Sequence, residues 1–156
     1  MIKSILKIDN FLGNLKAFDF IGLFFLRTYL FFIFWNAGLR KISWNDGIPN
    51  VDRFSEFLGP GGEDNLNLIL PDLFAWLTVI AEAAGAVLLL IGLFSRWATV
   101  PILVCMVVAT YYHFPNGWNA DAGGYEMSVT YLLMTAIILL FGPGKYLSLD
   151  FWVQRK

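Results

Sequence analysis

Four apolar stretches, each close to the length of a membrane-spanning helix, constrain this chain more than any other feature of its sequence. They cover residues 20–39, 73–94, 97–114 and 123–142. A helix needs about 20 residues to cross a hydrocarbon core about 30 Å thick. Charged residues make up only 15% of the chain and hydrophobic residues 58%, whereas a soluble domain has about 25% charged residues. A chain of 156 residues cannot bury this apolar excess in a soluble core, so the sequence predicts an integral membrane protein.

The same stretches predict an all-α fold, an antiparallel four-helix bundle in a single membrane domain that covers residues 1–156. Open strands are excluded because lipid cannot satisfy the hydrogen-bonding groups of a sheet edge. A membrane barrel would show alternating rather than continuous apolar residues. Ala81 and Gly85 stand four residues apart in the second stretch, and small residues at this spacing allow helices to approach closely in lipid.

Two segments outside the spans show helical periodicity. The apolar residues of segment 2–15 fall near one helical face and predict a short amphipathic helix on the membrane surface, with a frayed tail as the alternative. In the 40–72 connection, Val51, Phe54 and Leu58 repeat at helical spacing. We expect this connection to be a structured loop that closes the outer mouth of the bundle.

Lysine and arginine residues are distributed unequally between the two sides. Seven lie in the N-terminal arm, the link between the second and third stretches, and the C-terminal tail, whereas three lie in the 40–72 connection. Because positive residues favour the cytoplasmic side, the sequence predicts a multi-pass protein of the bacterial inner membrane with both termini in the cytoplasm. The net charge of −1 includes no basic excess, which argues against nucleic-acid binding.

Arg27 and Glu82 are the charged residues inside the first two stretches. An arginine at mid-membrane costs about 2.5–3.5 kcal/mol on insertion scales, so such residues face the protein interior and pair. Counting from the ends of the apolar stretches places their Cα atoms about 6 Å apart in depth, which an arginine side chain can bridge. We therefore predict an intramembrane Arg27–Glu82 pair. It is either a buried ion pair that fixes helix register or a polar pocket for a lipid headgroup, a proton or a quinone carbonyl.

A second polar set falls where the first and third stretches end on the outer side. This outer-mouth polar cluster comprises Asn36, Arg40, Lys41, Tyr112, His113 and Trp118. The chain has one histidine, His113, and one cysteine, Cys105, whereas a transition-metal site usually needs three or four nitrogen or sulfur ligands. The residues therefore predict no metal site, an interfacial hydrogen-bonding role for His113 and a packing role for Cys105.

Several sequence segments carry a resemblance to a known family. They are Leu26-Arg27, Asn36-Ala37-Gly38-Leu39-Arg40-Lys41, Ala81-Glu82 with Gly85, Leu90-Ile91-Gly92-Leu93-Phe94-Ser95-Arg96, and the tail Gly142-Pro143-Gly144-Lys145-Tyr146-Leu147-Ser148-Leu149-Asp150. Together they resemble the DoxX-like family of small four-helix membrane proteins, over residues 21–151. The tail and segment 112–118 are similar to the HvfX branch, which resembles proteins encoded with makers of copper-binding modified peptides. The chain departs from that branch at residues 121–126, where a His-Trp type pair is expected.

The resemblance implies an accessory inner-membrane protein of the DoxX/HvfX type in redox or copper-peptide handling. It would act through its outer face on a protein or modified-peptide partner. A second hypothesis is a quinone-interacting membrane subunit of an oxidoreductase complex, in which Arg27 would donate to a quinone carbonyl. A structural membrane scaffold is the third. The sequence shows no self-sufficient active site, so we do not expect a stand-alone enzyme, and it leaves a homo-oligomer open.

Overall fold

The structure is a computed structural model. It describes residues 19–61, 65–145 and 147–155. Most of these residues are helical. The helices are α1 (Asp19–Arg40), α2 (Asp52–Leu58), α3 (Pro71–Ile91), α4 (Ser95–His113), α5 (Glu126–Phe141) and α6 (Leu149–Gln154). Two short antiparallel strands, β1 (Ser43–Asn45) and β2 (Ile48–Asn50), follow α1, and two 3-10 turns, Phe114–Asn116 and Ala120–Ala122, connect α4 to α5. The predicted amphipathic helix of segment 2–15 lies outside the described residues.

Three helices of the described chain are long and apolar enough to cross a membrane. These spans are Phe20–Arg40, Pro71–Ile91 and Ser95–Asn116, which confirms three of the four predicted apolar helices. The fourth, α5, is also apolar but has only 16 residues. At 1.5 Å per residue it is about 24 Å long, shorter than a hydrocarbon core of about 30 Å. Its crossing of the membrane therefore stays a prediction.

The three long helices and α5 pack around one apolar core. Helix α1 packs along α3, α3 along α4 and α4 along α5, and α1 also touches α5. The side chains at the centre of this core are fully buried and come from all four helices: Leu30, Phe34, Ala86, Leu89, Ile102 and Ile138. Since all four helices supply core residues, each holds its neighbours in register.

The connections between the helices gather at two ends. At one end, Phe57 of α2 contacts Tyr112 of α4 edge-on, with ring centroids 4.8 Å apart. At the other end, the backbone N–H of Asp150 donates to the carbonyl of Gly92, at a distance of 2.9 Å. We call these the cap end and the tail end. We define the cap as residues 41–61 and 65–70, and the tail as residues 142–145 and 147–155.

Small residues set the closest approaches between the helices. A Cβ atom on Gly38 would lie 3.0 Å from the backbone nitrogen of Ala83, and one on Gly85 would lie 2.9 Å from Cδ1 of Ile102. Larger side chains at these positions would push α1 or α4 away from α3. The predicted close helix contact at Gly85 is confirmed, and Gly38 fixes the register of α1 against α3.

The cap has a small apolar core of its own. Val51 precedes α2 and Leu58 ends it; both are buried against Ala75 and Val79 of the first three turns of α3. The predicted helix in the 40–72 connection is therefore confirmed, and it packs on α3 rather than extending away from it. The cap thus has a fixed position relative to the spans.

Candidate functional site

Arg27 lies at the tail end, where backbone carbonyls hold its guanidinium. The residue is fully buried. Its Nη1 donates to the carbonyl of Leu89 at 3.2 Å, and its Nη2 donates to the carbonyl of Leu147 at 2.7 Å. The Leu89 carbonyl lies in the last turn of α3 and also accepts a hydrogen bond from the backbone N–H of Gly92 at 3.2 Å, so Arg27 adds a second donor at this helix end. Arg27 therefore joins α1 to α3 and to the tail.

Asp150 completes this arrangement on the tail side. Its carboxylate accepts hydrogen bonds from the backbone N–H groups of Phe94 and Ser95, at 2.7 and 3.0 Å, and so caps the start of α4. A carboxylate at a helix N-terminus is favoured by the helix dipole. It is also the negative charge that acts on Arg27. We call Arg27, Leu89, Leu147 and Asp150 the tail clamp.

Gly92 leaves the space that Arg27 needs. It has a positive φ of 68°, and a Cβ atom there would lie 2.1 Å from Nη1 of Arg27 and 2.6 Å from Cβ of Ser148. No side chain fits between these groups, so glycine is required by space as well as by backbone conformation. The tail clamp thus explains why a glycine ends α3.

Glu82 lies towards the cap end, where Lys41 is its partner. The two side chains form a salt bridge; Glu82 is 3% exposed and Lys41 21%. The Lys41 ammonium also donates to the carbonyl of Ala37 at 3.3 Å and lies 5.4 Å from the centre of the Phe54 ring. Since Phe54 belongs to α2, this cap ion pair connects α1, α3 and the cap.

The predicted Arg27–Glu82 pair is not what the structure shows, because each residue has other partners. Glu82 and Ala83 lie beside Gly38, whereas Arg27 reaches Leu89 at the opposite end of the shared helix contact. The 11 residues between Arg27 and Gly38 correspond to about 16 Å of helix. The sequence estimate assumed that both apolar stretches begin at the membrane boundary. In the structure α3 is shifted towards the cap end: Gly38, near the end of α1, lies against Ala83, and the first turns of α3 pack against the cap.

The outer-mouth polar cluster does not form one site. Lys41 turns inward to Glu82, and Arg40 is exposed. The Asn36 amide donates to the carbonyl of Phe32 on its own helix at 2.7 Å. These three predicted residues of α1 and its end thus serve different roles, and only Lys41 reaches a buried charge.

The other three members of the cluster lie near the end of α4. Tyr112 supports the cap through Phe57, as described above. The His113 ring nitrogen Nδ1 lies 2.9 Å from the carbonyl of Gly123, which ties α4 to the loop before α5. The Trp118 ring lies edge-on to Tyr125, with centroids 5.3 Å apart. His113 thus has a hydrogen-bonding partner, whereas the interfacial role predicted for it stays a prediction.

Within residues 19–61, 65–145 and 147–155, no group of three His, Cys, Asp or Glu side chains is arranged to hold a metal ion. Cys105 is free and partly buried on α4. The described residues therefore offer no ligand set for a metal centre.

A groove opens on the cap beside the end of α2. It has a volume of about 420 Å³ and is lined by the turn Gly59-Pro60-Gly61 together with Glu56, Asn65 and Pro71. The Asn65 amide donates to the carbonyl of Glu56 at 2.9 Å, which holds the two sides of the groove together. The groove is wide open to solvent, so it is a depression on the cap surface and not an enclosed cavity.

Sequence reasoning missed two features of this arrangement. The first is the β1–β2 hairpin, whose turn residues Asp46 and Gly47 both have positive φ, 51° and 80°. An Asp-Gly pair is the usual signal for such a turn and could have identified it. The second is the role of Leu147 and Asp150. Leu147 acts through its backbone carbonyl, and residue type gives no signal for such a contact.

Comparison with known proteins now defines the family. The DoxX family matches residues 22–114, from the start of α1 to the end of α4. The chain belongs to the DoxX family. The matched range includes Arg27, Lys41 and Glu82, whereas Leu147 and Asp150 lie beyond it. The tail clamp therefore joins the family region to a segment outside the match.

Two relatives of this DoxX-family chain are similar along most of their length. An uncharacterized protein of Haemophilus influenzae is 28% identical over 136 residues, which cover 86% of this chain and 85% of the relative. An uncharacterized membrane protein of Mycobacterium tuberculosis is 28% identical over 136 residues, covering 80% of this chain and 77% of the relative. No solved structure shows significant similarity to the chain. The comparisons establish a DoxX-family membrane protein and assign no activity to it.

Proposed function

We propose that this DoxX-family protein is an accessory protein of the bacterial inner membrane that acts on a protein or modified-peptide partner through its cap. The proposal places it in redox or copper-peptide handling, as the HvfX-like tail and segment 112–118 imply. The single observation that carries it is the cap itself, which has its own apolar core and an open groove of about 420 Å³. A loop that only connected two spans would need neither.

The proposal includes a single-domain antiparallel bundle of four spans with both termini in the cytoplasm. The arginine and lysine distribution supports this orientation, and it would place the cap on the outer side. The short fourth span, α5, is extended at its cap end by the turn Ala120–Ala122 and the loop that His113 holds. These residues would bring the fourth crossing closer to the length of the others.

The fixed position of the cap favours partner binding. Val51 and Leu58 anchor it on α3, and the cap ion pair connects it to α1. A rigid surface loses little conformational entropy on binding. The carboxylate of Glu56 and the amide of Asn65 at the groove would provide hydrogen-bond acceptors and donors for a polypeptide segment.

One observation favours the quinone-binding subunit as a second candidate. Two nitrogens of the Arg27 guanidinium already donate to backbone carbonyls. Its Nε, however, is buried and lacks a hydrogen-bond partner among the described residues. A quinone carbonyl would have to reach that atom. Because Arg27 is fully buried, quinone binding requires the tail to move. Partner binding at the cap groove requires no such movement.

Site-specific photocrosslinking in the native membrane tests the partner hypothesis. A photoreactive residue replaces Glu56 at the groove in the full chain, and the matched control carries it at Val104, an exposed position within span α4. We expect a discrete polypeptide adduct from position 56 and lipid adducts from position 104. Mass spectrometry of the adduct then shows whether the partner is a redox protein or a copper-binding peptide.

Two results would contradict the proposal. If the photoreactive residue at position 56 crosslinks only to lipid or to the protein itself, the cap has no partner. A structural membrane scaffold then becomes the better description. If the purified protein instead carries stoichiometric quinone that Arg27→Lys loses while remaining folded, the quinone-binding subunit replaces it.

A further inference from the structure

The depth of the cap in the membrane can be inferred from the stagger between α1 and α3. Gly38 lies against Ala83, so that Arg40, the last residue of α1, is level with about Ile80. Ile80 is roughly 14 Å from the start of α3 at Pro71, at 1.5 Å per residue. Helix α1 therefore stops well short of the cap-side end of its neighbour.

Helix α4, in contrast, reaches the full height of α3. Gly85 lies against Ile102, about two turns from the tail-side end of each helix, and the third candidate span continues to Asn116. These two helices together mark the cap-side boundary of the apolar slab. The space above the end of α1 lies inside that boundary, and the cap fills it.

The contacts of the cap fix it at this level. Val51 and Leu58 pack on Ala75 and Val79, which belong to the part of α3 beyond the end of α1. On the same turns of α3, Leu77 faces away from the protein and is 51% exposed. In a helix that crosses a bilayer, such an exposed leucine contacts lipid. Lipid therefore surrounds the protein at the depth that the cap occupies.

The hairpin extends this lipid-facing apolar surface. Trp44 is 69% exposed and Ile48 68% exposed, although both are large apolar side chains and the hairpin starts only three residues after α1 ends. Tryptophan favours the membrane interface. The turn residue Asp46 is also exposed, and its charge keeps the hairpin tip at the headgroups rather than in the hydrocarbon.

We propose that the cap is embedded in the cap-side leaflet, with Trp44 and Ile48 in contact with phospholipid and the α2 carboxylates Asp52 and Glu56 in water. The ligand of this surface is the surrounding bilayer, because the exposed apolar side chains of the hairpin continue the lipid-facing surface of α3. The cap is thus a re-entrant element beside the spans and not a freely projecting loop. This proposal does not depend on a partner, since the groove at Glu56 stays open to water.

Fluorescence quenching in reconstituted vesicles tests it. The full chain with Cys105→Ser receives Trp44→Cys or Ile48→Cys, and each protein is labelled with bimane in vesicles of phosphatidylethanolamine and phosphatidylglycerol. Leu77→Cys is the lipid-facing control, and Glu56→Cys is the water-facing control. Each label is quenched separately by lipids with a nitroxide near the headgroup and by aqueous iodide.

The labels at positions 44 and 48 are expected to behave like the label at position 77. Lipid nitroxide quenches them strongly, iodide quenches them weakly, and their emission is blue-shifted relative to position 56. Iodide quenching equal to that at position 56 would overturn the proposal, because the hairpin would then lie in water. Protection from both quenchers would overturn it as well, because protein rather than lipid would then cover the hairpin.

Discussion

The tail clamp and the cap ion pair both bury a charge among membrane helices, but they satisfy it in different ways. Arg27 donates to the backbone carbonyls of Leu89 and Leu147, so its partners depend on the path of the chain. Glu82 is paired with a side chain, that of Lys41. A charge that is held by backbone is part of the fold and has no exchangeable partner. A charge that is held by a side chain can be replaced together with that partner.

The largest effect is expected from Arg27→Ala, which breaks the tail clamp. A hydrogen bond to a charged group contributes about 1.5–3 kcal/mol, so losing two should lower the free energy of unfolding by roughly 3–6 kcal/mol. Unfolding by SDS in mixed micelles measures it. The matched control is Arg96→Ala, because Arg96 is exposed at the same end and makes one long hydrogen bond, 3.4 Å, to the carbonyl of Leu140. Equal losses in the two variants would show that Arg27 is not a clamp.

The cap ion pair should respond asymmetrically to single substitutions. Lys41→Met leaves the nearly buried Glu82 without its partner and should cost about 3–5 kcal/mol. Glu82→Gln should cost less, since Lys41 is 21% exposed and can reach water. The double variant should be more stable than Lys41→Met alone, because neither charge is left unpaired. Simple addition of the two single effects, measured by the same unfolding assay, would exclude a coupled pair.

Gly92→Ala should disturb the tail clamp without removing a charge. The new Cβ would collide with Nη1 of Arg27, and the left-handed backbone at this position disfavours alanine. Strain of this kind costs about 1–3 kcal/mol, and the tail should become accessible to protease. Gly22→Ala is the control, since a Cβ at Gly22 would meet no atom within 4 Å. Tail cleavage in Gly92→Ala that matches the control would contradict the account.

The smallest effect is expected from Asp150→Asn. An asparagine can still accept one of the hydrogen bonds from Phe94 and Ser95 but carries no charge to oppose Arg27. Loss of a charged cap costs about 0.5–2 kcal/mol. The thermal unfolding midpoint in detergent measures this change, and Asp72→Asn, at the start of α3, serves as the comparison for a second acidic residue in a first helical turn. No difference from wild type would remove Asp150 from the tail clamp.

The sequence predicted the parts of this fold that depend on local composition. Apolar runs identified the three long spans, periodicity located α2, and the small residue Gly85 marked a helix contact. The partners of the charged residues in α1 and α3 could not be predicted in the same way. They depend on the register between α1 and α3, which Gly38 and Ala83 set, and apolar length carries no information about register.

The candidate site shows the same limit. Lys41 was assigned to the outer-mouth polar cluster because it follows the first apolar stretch. It turns inward because α3 extends beyond α1 and brings Glu82 level with it. The hydrogen-bond acceptors of Arg27 could not be predicted from residue types. They are main-chain carbonyls, and one lies in the tail, 120 residues along the chain.

Hydrogen exchange with mass spectrometry, on the full chain in mild detergent, tests most directly whether the two ends are held independently. In Arg27→Ala, we expect faster exchange in the tail and the first turn of α4, with the cap unchanged. In Lys41→Met, we expect faster exchange in α2 and the hairpin, with the tail unchanged. Faster exchange in the same region in both variants would contradict the account, because one shared site rather than two separate ones would then hold the charges.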